Sequence, residues 1–269
     1  MDSRKLSERV SVVTGAGSGI GRAIAVRFAH AGARVIAAGP HLETIAQTAR
    51  IIVESGGEAY PVLVDVSSSE QVRNLTSKAL ERCGKIDILV NNAGIFTTGP
   101  IEDLPEQDWD KVMNVNLKGA FLCSQAIGKH MIERGRGVIL NVISISAQIP
   151  EPNLGAYTPS KVGLLGLTNI LALEWAKYGV RVVGISPGPI RTAMHEREYG
   201  EPRLREARHR AVPMGRPGEP EEIATLAEFL VSDDAGFITG QTVIADGGSA
   251  ISMFRTIHLL KEFAAHEQD

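Results

Sequence analysis

Cysteine is scarce in this sequence, and its scarcity argues against two kinds of site. The chain has 269 residues but only two cysteines, Cys83 and Cys123, which lie far apart and have neither a CxxC spacing nor a neighbouring histidine. Structural zinc sites need several thiolate or imidazole ligands at short spacings. We therefore predict two buried thiols rather than a disulfide, and no metal site.

Long apolar runs and an excess of one charge are missing as well. No stretch of about eighteen apolar residues is available to span a bilayer, and the first ten residues, MDSRKLSERV, lack the apolar core of a signal peptide. The formal net charge of −3 provides no basic surface for nucleic acid. We expect a cytoplasmic protein that binds neither membranes nor nucleic acid.

The sequence instead contains an alternation of short apolar runs and helical segments. Seven runs rich in β-branched residues are strand candidates, namely RVSVVT, ARVIAA, YPVLVD, IDILVN, GVILNV, VRVVGI and TVIAD. Helical spacing occupies the intervals, for example residues 20–31, 42–55, 69–83 and 105–134. Near-continuous apolar strands are typical of a parallel sheet covered by helices on both faces. The pattern predicts an α/β protein with a doubly wound, seven-stranded parallel sheet in a single domain.

The loop after the first predicted strand reads TGAGSGIG, with glycines at positions 15, 19 and 21. Glycines there permit a sharp turn and a close approach of the backbone to a pyrophosphate at the next helix's N-terminus. The spacing differs from GxGxxG and from the P-loop, which needs a lysine after its last glycine, where this chain has Arg22. The position between strand and helix favours a dinucleotide site over a turn required only for packing.

The stretch GAYTPSKVGLLGLT places Tyr157 and Lys161 four residues apart at the head of a helical pattern. Pro159 is tolerated in a first helical turn, so both side chains are expected on one face of a helix start. A lysine charge about 5 Å from the phenol favours phenolate by roughly 3 kcal/mol at an effective dielectric near 20. This brings the tyrosine pKa from about 10 towards neutrality, where a general acid or base works best; a surface tyrosine is the alternative.

Five motifs, in this order, resemble the short-chain dehydrogenase/reductase family from about residue 6 to residue 248: TGAGSGIG, NNAG, NVNLKG, YTPSK and SPGPIRT. The resemblance implies a Rossmann-type sheet, a nicotinamide cofactor and a catalytic set of Asn116, Ser144, Tyr157 and Lys161. Ser144 is the serine thirteen residues before the tyrosine. Ser146 is the alternative, because both serines would face the same side if the fifth strand continued.

The resemblance also implies which residues contact the cofactor. The glycine-rich loop, the ends of later strands and the two catalytic side chains on the helix contribute. The matching positions are Gly15, Ser18, Gly19, Ile20, Gly21, Gly39, Asp65, Val66, Asn92, Ala93, Gly94, Tyr157, Lys161, Pro187, Gly188, Ile190 and Thr192. Asp65 is also an ordinary turn former.

The end of the second predicted strand bears on the choice between NAD and NADP. NAD-dependent members usually carry an acidic residue there, and NADP-dependent ones a basic residue there or in the glycine motif. This chain has Gly39, Pro40 and Ser18. A 2′-phosphate without a basic partner is poorly compensated, whereas ribose hydroxyls can bond to backbone or water. We expect NAD to be preferred, unless His41 or Arg22 reaches the phosphate.

Residues 193–214 follow SPGPIRT and are expected to form a substrate lid on a domain that spans residues 1–248. The lid is rich in arginine and glutamate, which indicates either a polar substrate or a solvated helix with paired charges. The expected chemistry is reversible hydride transfer between a secondary alcohol and a ketone, with 3-oxoacyl or small hydroxy/keto compounds as substrates. A non-catalytic dinucleotide-binding sensor and a Rossmann methyltransferase are the rivals; neither requires the complete catalytic set.

The C-terminal tail, residues 249–269, carries apolar residues mostly three and four apart, which predicts a helix with one apolar stripe. Members of the family commonly form homotetramers. We therefore expect a homotetramer with the tail at a subunit interface, and packing on the chain's own core is the alternative.

Overall fold

The computed structural model describes residues 5–193 and 210–252. Within them, seven strands form one sheet in the order β3-β2-β1-β4-β5-β6-β7, and every neighbouring pair is parallel. The predicted doubly wound fold is confirmed. The strands are β1 Val10–Thr14, β2 Arg34–Gly39, β3 Glu58–Leu63, β4 Ile88–Asn91, β5 Gly137–Val142, β6 Val180–Pro187 and β7 Thr242–Ala245.

Helices cover both faces of the sheet, as the near-continuous apolar strands require. All five residues of β1 are buried; Val13 packs in one core with Ile24 and Phe28, and Val12 packs in the other with Leu75. Successive strand residues point to opposite faces, so a strand between two helical layers must be apolar throughout. In the described parts of the chain, the helices are α1 Gly19–His30, α2 Leu42–Glu54, α3 Ser69–Cys83, α4 Glu106–Met113, α5 Gly119–Glu133, α6 Tyr157–Trp175 and α7 Pro220–Val231.

The segment expected to be helical over residues 105–134 is helical but not uniform. A five-residue π-helical stretch, Asn114–Lys118, separates α4 from α5. The residues that flank it, Met113 and Gly119, have right-handed helical dihedral angles. The helix therefore continues through the stretch, although its hydrogen bonds span five residues instead of four. Such π-helical insertions are frequent at functional sites, and this one contains Asn116.

Both cysteines are buried and unpaired, as predicted. Burial raises the pKa of the Cys123 thiol to about 12, which leaves it protonated and unreactive at neutral pH. Of the helices within the described residues, none combines the length and apolar character that crossing a bilayer requires.

Two expectations fall largely outside the described residues. The lid predicted over residues 193–214 is described only at residue 193 and from 210 to 214, and the tail only from 249 to 252. The described part of the tail contains a single 3-10 turn, Ser249–Ile251.

Candidate active site

The carboxyl ends of β1 and β4 lie side by side where the strand order reverses, which is where ligands of such sheets bind. The Thr14 hydroxyl joins the loops that follow these strands. It donates to Val90 O at 3.1 Å and accepts from the backbone N–H groups of Asn92 and Ala93 at 3.0 and 3.1 Å. The Asn92 amide in turn donates to Thr14 O and Gly15 O at 3.0 and 3.2 Å. The glycine-rich loop and the NNAG segment therefore form one rigid rim.

Space and backbone geometry both require glycine in this rim. Gly15 has φ of 64°, and a Cβ added there would lie 2.8 Å from Asn92 Nδ2. Gly19 has φ of 51° and faces the Thr192 methyl group, which a Cβ would meet at 3.1 Å. Side chains at these positions would displace the Asn92 amide and the Thr192 methyl group, whereas glycine keeps the tight turn by which the backbone can approach a pyrophosphate at the start of α1. The cradle therefore fits a dinucleotide, and it brings the loop after β6 against the glycine-rich loop.

Gly21→Ala tests this cradle. The added Cβ would overlap Asn92 Nδ2 and Gly15 O, so we expect the dinucleotide Kd to rise at least about tenfold and stability to fall by about 1 to 3 kcal/mol. Isothermal titration with NADH and urea unfolding measure the two effects. Gly166→Ala is the control, because a Cβ at Gly166 meets nothing within 4 Å. Unchanged NADH affinity in Gly21→Ala would remove the loop from the binding site.

Asn116 is almost fully buried, with 1% of its surface exposed, and its side-chain amide connects three segments. Its Oδ1 accepts from Ile95 N at 2.8 Å, and its Nδ2 donates to Ile95 O at 2.9 Å and to Ser160 Oγ at 3.0 Å. Ser160 Oγ donates to Tyr157 O at 2.6 Å. The π-helical stretch, the loop after NNAG and the first turn of α6 are thus held together, and both N–H groups of the amide are occupied.

Tyr157 is the first residue of α6, as the proline in the first turn predicts. Lys161 Nζ lies 5.6 Å from the centroid of the Tyr157 ring and donates to Val142 O at 2.8 Å. Phe96 contacts the same ring edge-on, with 6.3 Å between centroids. A Cβ on Gly94 would lie 3.6 Å from Lys161 Nζ and 3.5 Å from Asn116 Oδ1. The NNAG loop therefore lies directly against the two polar side chains.

Burial defines the electrostatics of Lys161. Only 4% of the residue is exposed, and the cost of desolvating its ammonium group lowers the pKa to about 8. In the described part of the chain, Nζ has one hydrogen-bond partner, although an ammonium carries three donors. A strongly shifted pKa inside a cleft is typical of functional sites.

The serine alternatives are separated because β5 ends at Val142. Ser144 is the N-cap of a 3-10 turn, Ile145–Ala147, and its Oγ accepts from Ser146 N at 3.2 Å and from Ser146 Oγ at 3.0 Å. Ser146 is 4% exposed, whereas Ser144 is half-buried. The two serines therefore differ in exposure and do not lie on one side of a continued strand, because Ser146 is buried in the turn that Ser144 caps.

The residues expected at the adenine end of the cofactor, namely Gly39, Asp65 and Val66, each have different surroundings in the structure. Gly39 ends β2 and is buried. The Asp65 carboxylate accepts from Ser67 N at 2.9 Å and Ser67 Oγ at 2.7 Å, which is the turn-forming role. Val66 packs against the start of α5 at Gly119, where a Cβ would meet its side chain at 2.7 Å.

The remaining predicted residues belong to the start of α1, the end of β6 and the segment that follows β6. Ser18 is the exposed N-cap of α1 and makes no side-chain cap hydrogen bond. Ile20 packs against the core. Pro187 ends β6, Gly188 N donates to Ala245 O at 3.0 Å, and Ile190 is buried. Thr14 and Ser160 were not predicted as site residues, although Thr14 lies in TGAGSGIG and Ser160 in YTPSK.

Comparisons with known proteins show similarity over most of this chain. Residues 15–250 match a family model described as enoyl-(acyl carrier protein) reductase. The chain is 37% identical over 247 residues to a 3-oxoacyl-[acyl-carrier-protein] reductase of Thermotoga maritima, covering 92% of this chain and 100% of that protein. It is 39% identical over 246 residues to an NAD-dependent glycerol dehydrogenase of Listeria innocua, covering 91% of this chain and 95% of that protein.

A solved structure is also similar to the structure of this chain. A gluconate 5-dehydrogenase from Burkholderia cenocepacia in complex with NADP and tartrate superposes with a TM-score of 0.89 at 34% identity, covering 94% of this chain and 99% of that one. These relatives are named for different substrates and for both nicotinamide cofactors, and all of them are oxidoreductases.

Proposed function

Because the chain belongs to the short-chain dehydrogenase/reductase family and is an NAD(P)-dependent oxidoreductase that acts on CH–OH donors, we propose that Asn116, Ser144, Tyr157 and Lys161 catalyse reversible interconversion of a secondary alcohol and a ketone. The observation that carries this proposal is the buried Lys161 ammonium, 5.6 Å from the Tyr157 ring. A charge that costs free energy to bury is retained where it has a chemical task.

Each side chain has a distinct task in this proposal. When bound, the nicotinamide accepts or supplies the hydride. Tyr157 exchanges a proton with the substrate oxygen, and the charge on Lys161 favours its phenolate. Ser144 hydrogen-bonds the same substrate oxygen. Lys161 Nζ keeps donors beyond its bond to Val142 O, and these bind the nicotinamide ribose.

Asn116 positions a water molecule that carries protons from Lys161 outwards. Both N–H groups of its amide already donate, to Ile95 O and Ser160 Oγ. The residue can therefore hold the water only through an oxygen atom. The cofactor itself is held by the rim around the glycine-rich loop, with contacts from Gly15, Ser18, Gly19, Ile20, Gly21, Gly39, Asp65, Val66, Asn92, Ala93, Gly94, Tyr157, Lys161, Pro187, Gly188, Ile190 and Thr192.

A spectrophotometric screen tests the reaction. The panel contains acetoacetyl thioester, glycerol, gluconate and a set of cyclic ketones, each with NAD(H) and NADP(H), and absorbance at 340 nm is followed. Turnover of at least one 3-oxoacyl or small hydroxy/keto compound is expected. Tight NADH binding without turnover of any compound would support the non-catalytic sensor instead.

NAD is the preferred cofactor in this proposal, because Arg22, which follows the glycine-rich loop, is already engaged. Arg22 Nε donates to Thr48 Oγ1 at 3.1 Å, and Nη2 contacts Gly17 O and donates to Gln47 Oε1 at 3.1 Å. These three acceptors hold the guanidinium between the glycine-rich loop and α2, and moving it to a 2′-phosphate would break all three contacts. His41 remains as an exposed neighbour of the β2 end.

We expect kcat/KM for NAD to exceed that for NADP, and Pro40→Arg to shift the ratio towards NADP by at least about tenfold, since charged hydrogen bonds contribute about 1.5 to 3 kcal/mol. Pro40 is exposed, so the arginine meets no packing obstacle. Steady-state kinetics with both cofactors measure the ratio, and His41→Ala serves as the control. A wild-type preference for NADP that disappears in His41→Ala would assign the phosphate to that histidine.

We also propose a homotetramer, because large apolar side chains are exposed on α6 and beside β7. Leu173 on α6 is 78% exposed, with Val162 and Ile170 along the same helix, and Phe237 beside β7 is fully exposed. Apolar surfaces of this kind are typical of protein interfaces. In this proposal the C-terminal tail covers part of one of them.

Multi-angle light scattering at micromolar concentration should give four times the chain mass of 28.8 kDa. Leu173→Glu is expected to reduce the mass, because it places a charge in the interface core. Leu42→Glu, at a 56% exposed leucine on α2, is the matched control and should leave the mass unchanged. A monomeric wild-type protein would contradict the proposal.

A further inference from the structure

Ser146 is a buried hydroxyl that the proposed mechanism does not use. It lies in the 3-10 turn behind Ser144 and is 4% exposed. In the part of the chain that the structure describes, the Ser146 Oγ has a single hydrogen-bond partner, Ser144 Oγ at 3.0 Å. Its backbone N–H points to the same oxygen at 3.2 Å. Both polar groups of Ser146 therefore meet one atom of the candidate catalytic serine.

Counting protons decides the direction of the hydrogen bond between the two hydroxyls. A hydroxyl has one donor and two acceptor positions, and buried donors in folded proteins are paired. The Ser146 proton has only Ser144 Oγ as an acceptor within the described residues, so Ser146 donates. Ser144 Oγ then accepts twice, once from this hydroxyl and once from Ser146 N. Both acceptor positions of Ser144 Oγ are occupied, so the Ser144 proton points away from Ser146.

We propose that Ser146 is a positioning residue that makes Ser144 a hydrogen-bond donor only. This inference rests on the proposed function of Ser144. The substrate oxygen, whether ketone or alcohol, accepts the Ser144 proton and cannot donate to Ser144. In alcohol oxidation the substrate O–H proton would therefore pass to the Tyr157 phenolate, and the nicotinamide, when bound, would supply the hydride acceptor. In ketone reduction the same proton returns from Tyr157.

The arrangement also strengthens the donor. In a chain of hydrogen bonds each donor polarises the next, so a Ser144 hydroxyl that already accepts two bonds donates more strongly. A donor aimed at the substrate oxygen is most useful where negative charge develops during reduction. Ser146 acts at a distance from the substrate, through the orientation of one hydroxyl.

Neutron diffraction from crystals exchanged into D₂O tests the orientation without any substrate. We expect a deuteron on Ser146 Oγ between the two hydroxyl oxygens, and the Ser144 deuteron directed away from Ser146. A Ser144 deuteron that points at Ser146 Oγ would overturn the proposal. This outcome does not depend on which alcohol or ketone the enzyme uses, nor on the catalytic roles of the other residues.

A double-mutant cycle tests the consequence for turnover, with NADH and the fastest ketone of the screening panel. Ser146→Ala is expected to lower kcat about three- to tenfold, the effect of losing one hydrogen bond, with NADH affinity unchanged. In a Ser144→Ala background the same substitution should have no further effect. Ser146→Thr, which keeps the hydroxyl, should recover most of kcat.

Two controls separate the possible failures. Ser11→Ala removes another fully buried hydroxyl, in β1 and away from the cleft, and should leave kcat unchanged. An equal loss from Ser146→Ala in both Ser144 backgrounds would show a merely structural role and refute the positioning. Full activity of Ser144→Ala would contradict the proposed role of Ser144 itself, and the neutron result would still stand on its own.

Discussion

Tyr157→Phe is expected to lower kcat by about 10³-fold or more while the dissociation constant for NADH stays within about twofold of the wild-type value. The substitution removes the hydroxyl that we propose exchanges a proton with the substrate oxygen. It keeps the ring that packs edge-on against Phe96, with centroids 6.3 Å apart. Contact area and the start of α6 are therefore preserved, so the loss falls on chemistry rather than on binding.

Single-turnover absorbance measurements at 340 nm and NADH fluorescence titration separate the two quantities. Tyr178→Phe is the control, because Tyr178 is exposed and lies beyond the end of α6. Retention of more than a few per cent of the wild-type kcat by Tyr157→Phe would remove the tyrosine from the proton transfer.

Lys161→Met is expected to abolish turnover, raise the NADH Kd at least about tenfold through loss of charge-assisted hydrogen bonds, and yet stabilise the apoprotein at neutral pH. The buried ammonium has its pKa lowered from 10.5 to about 8. That difference corresponds to a penalty of about 3 kcal/mol on the folded state. Losing the bond to Val142 O costs about 1 kcal/mol, so the net gain is about 2 kcal/mol.

The pH dependence of this gain follows from proton linkage. The pKa of Lys161 is lower in the folded chain than in the unfolded one, so between about pH 8 and 10.5 the unfolded chain binds more protons. Across that window, the free energy of unfolding of the wild-type apoprotein therefore rises with pH because of Lys161. Below pH 8 the penalty is fully present, and above 10.5 it is gone. The advantage of Lys161→Met should shrink accordingly.

Urea unfolding of both proteins at pH 7, 8, 9 and 10 measures this difference. Lys129→Met, at an exposed lysine on α5, controls for the loss of one positive charge. A Lys161→Met protein that is less stable than wild type at pH 7, by an amount that does not vary with pH, would mean that the ammonium is not desolvated as the structure indicates.

Local sequence patterns determined the fold class and the two central catalytic candidates. β-Branched runs of six residues or fewer recurred between helical segments, and a chain with that alternation has few ways to bury its strands other than a parallel sheet between helices. Tyr157 and Lys161 are four residues apart behind a first-turn proline, so their common face follows from helix geometry alone. The glycine-rich loop could also be predicted, because its glycines and its place between a strand and a helix are visible in the sequence, although its contacts with Asn92 and Thr192 are not.

Only the tertiary structure decided the properties that depend on residues distant in the sequence. Which of Ser144 and Ser146 is buried depends on where β5 ends, and the sequence allowed the strand to continue past Val142. The amide of Asn116 is held by Ile95 and Ser160, twenty-one residues before it and forty-four after it. Lys161 acquires its lowered pKa from burial beneath other elements, and burial is a property of packing. Patterns within a segment record its own periodicity, whereas hydrogen-bond partners and desolvation come from the segments that fold against it.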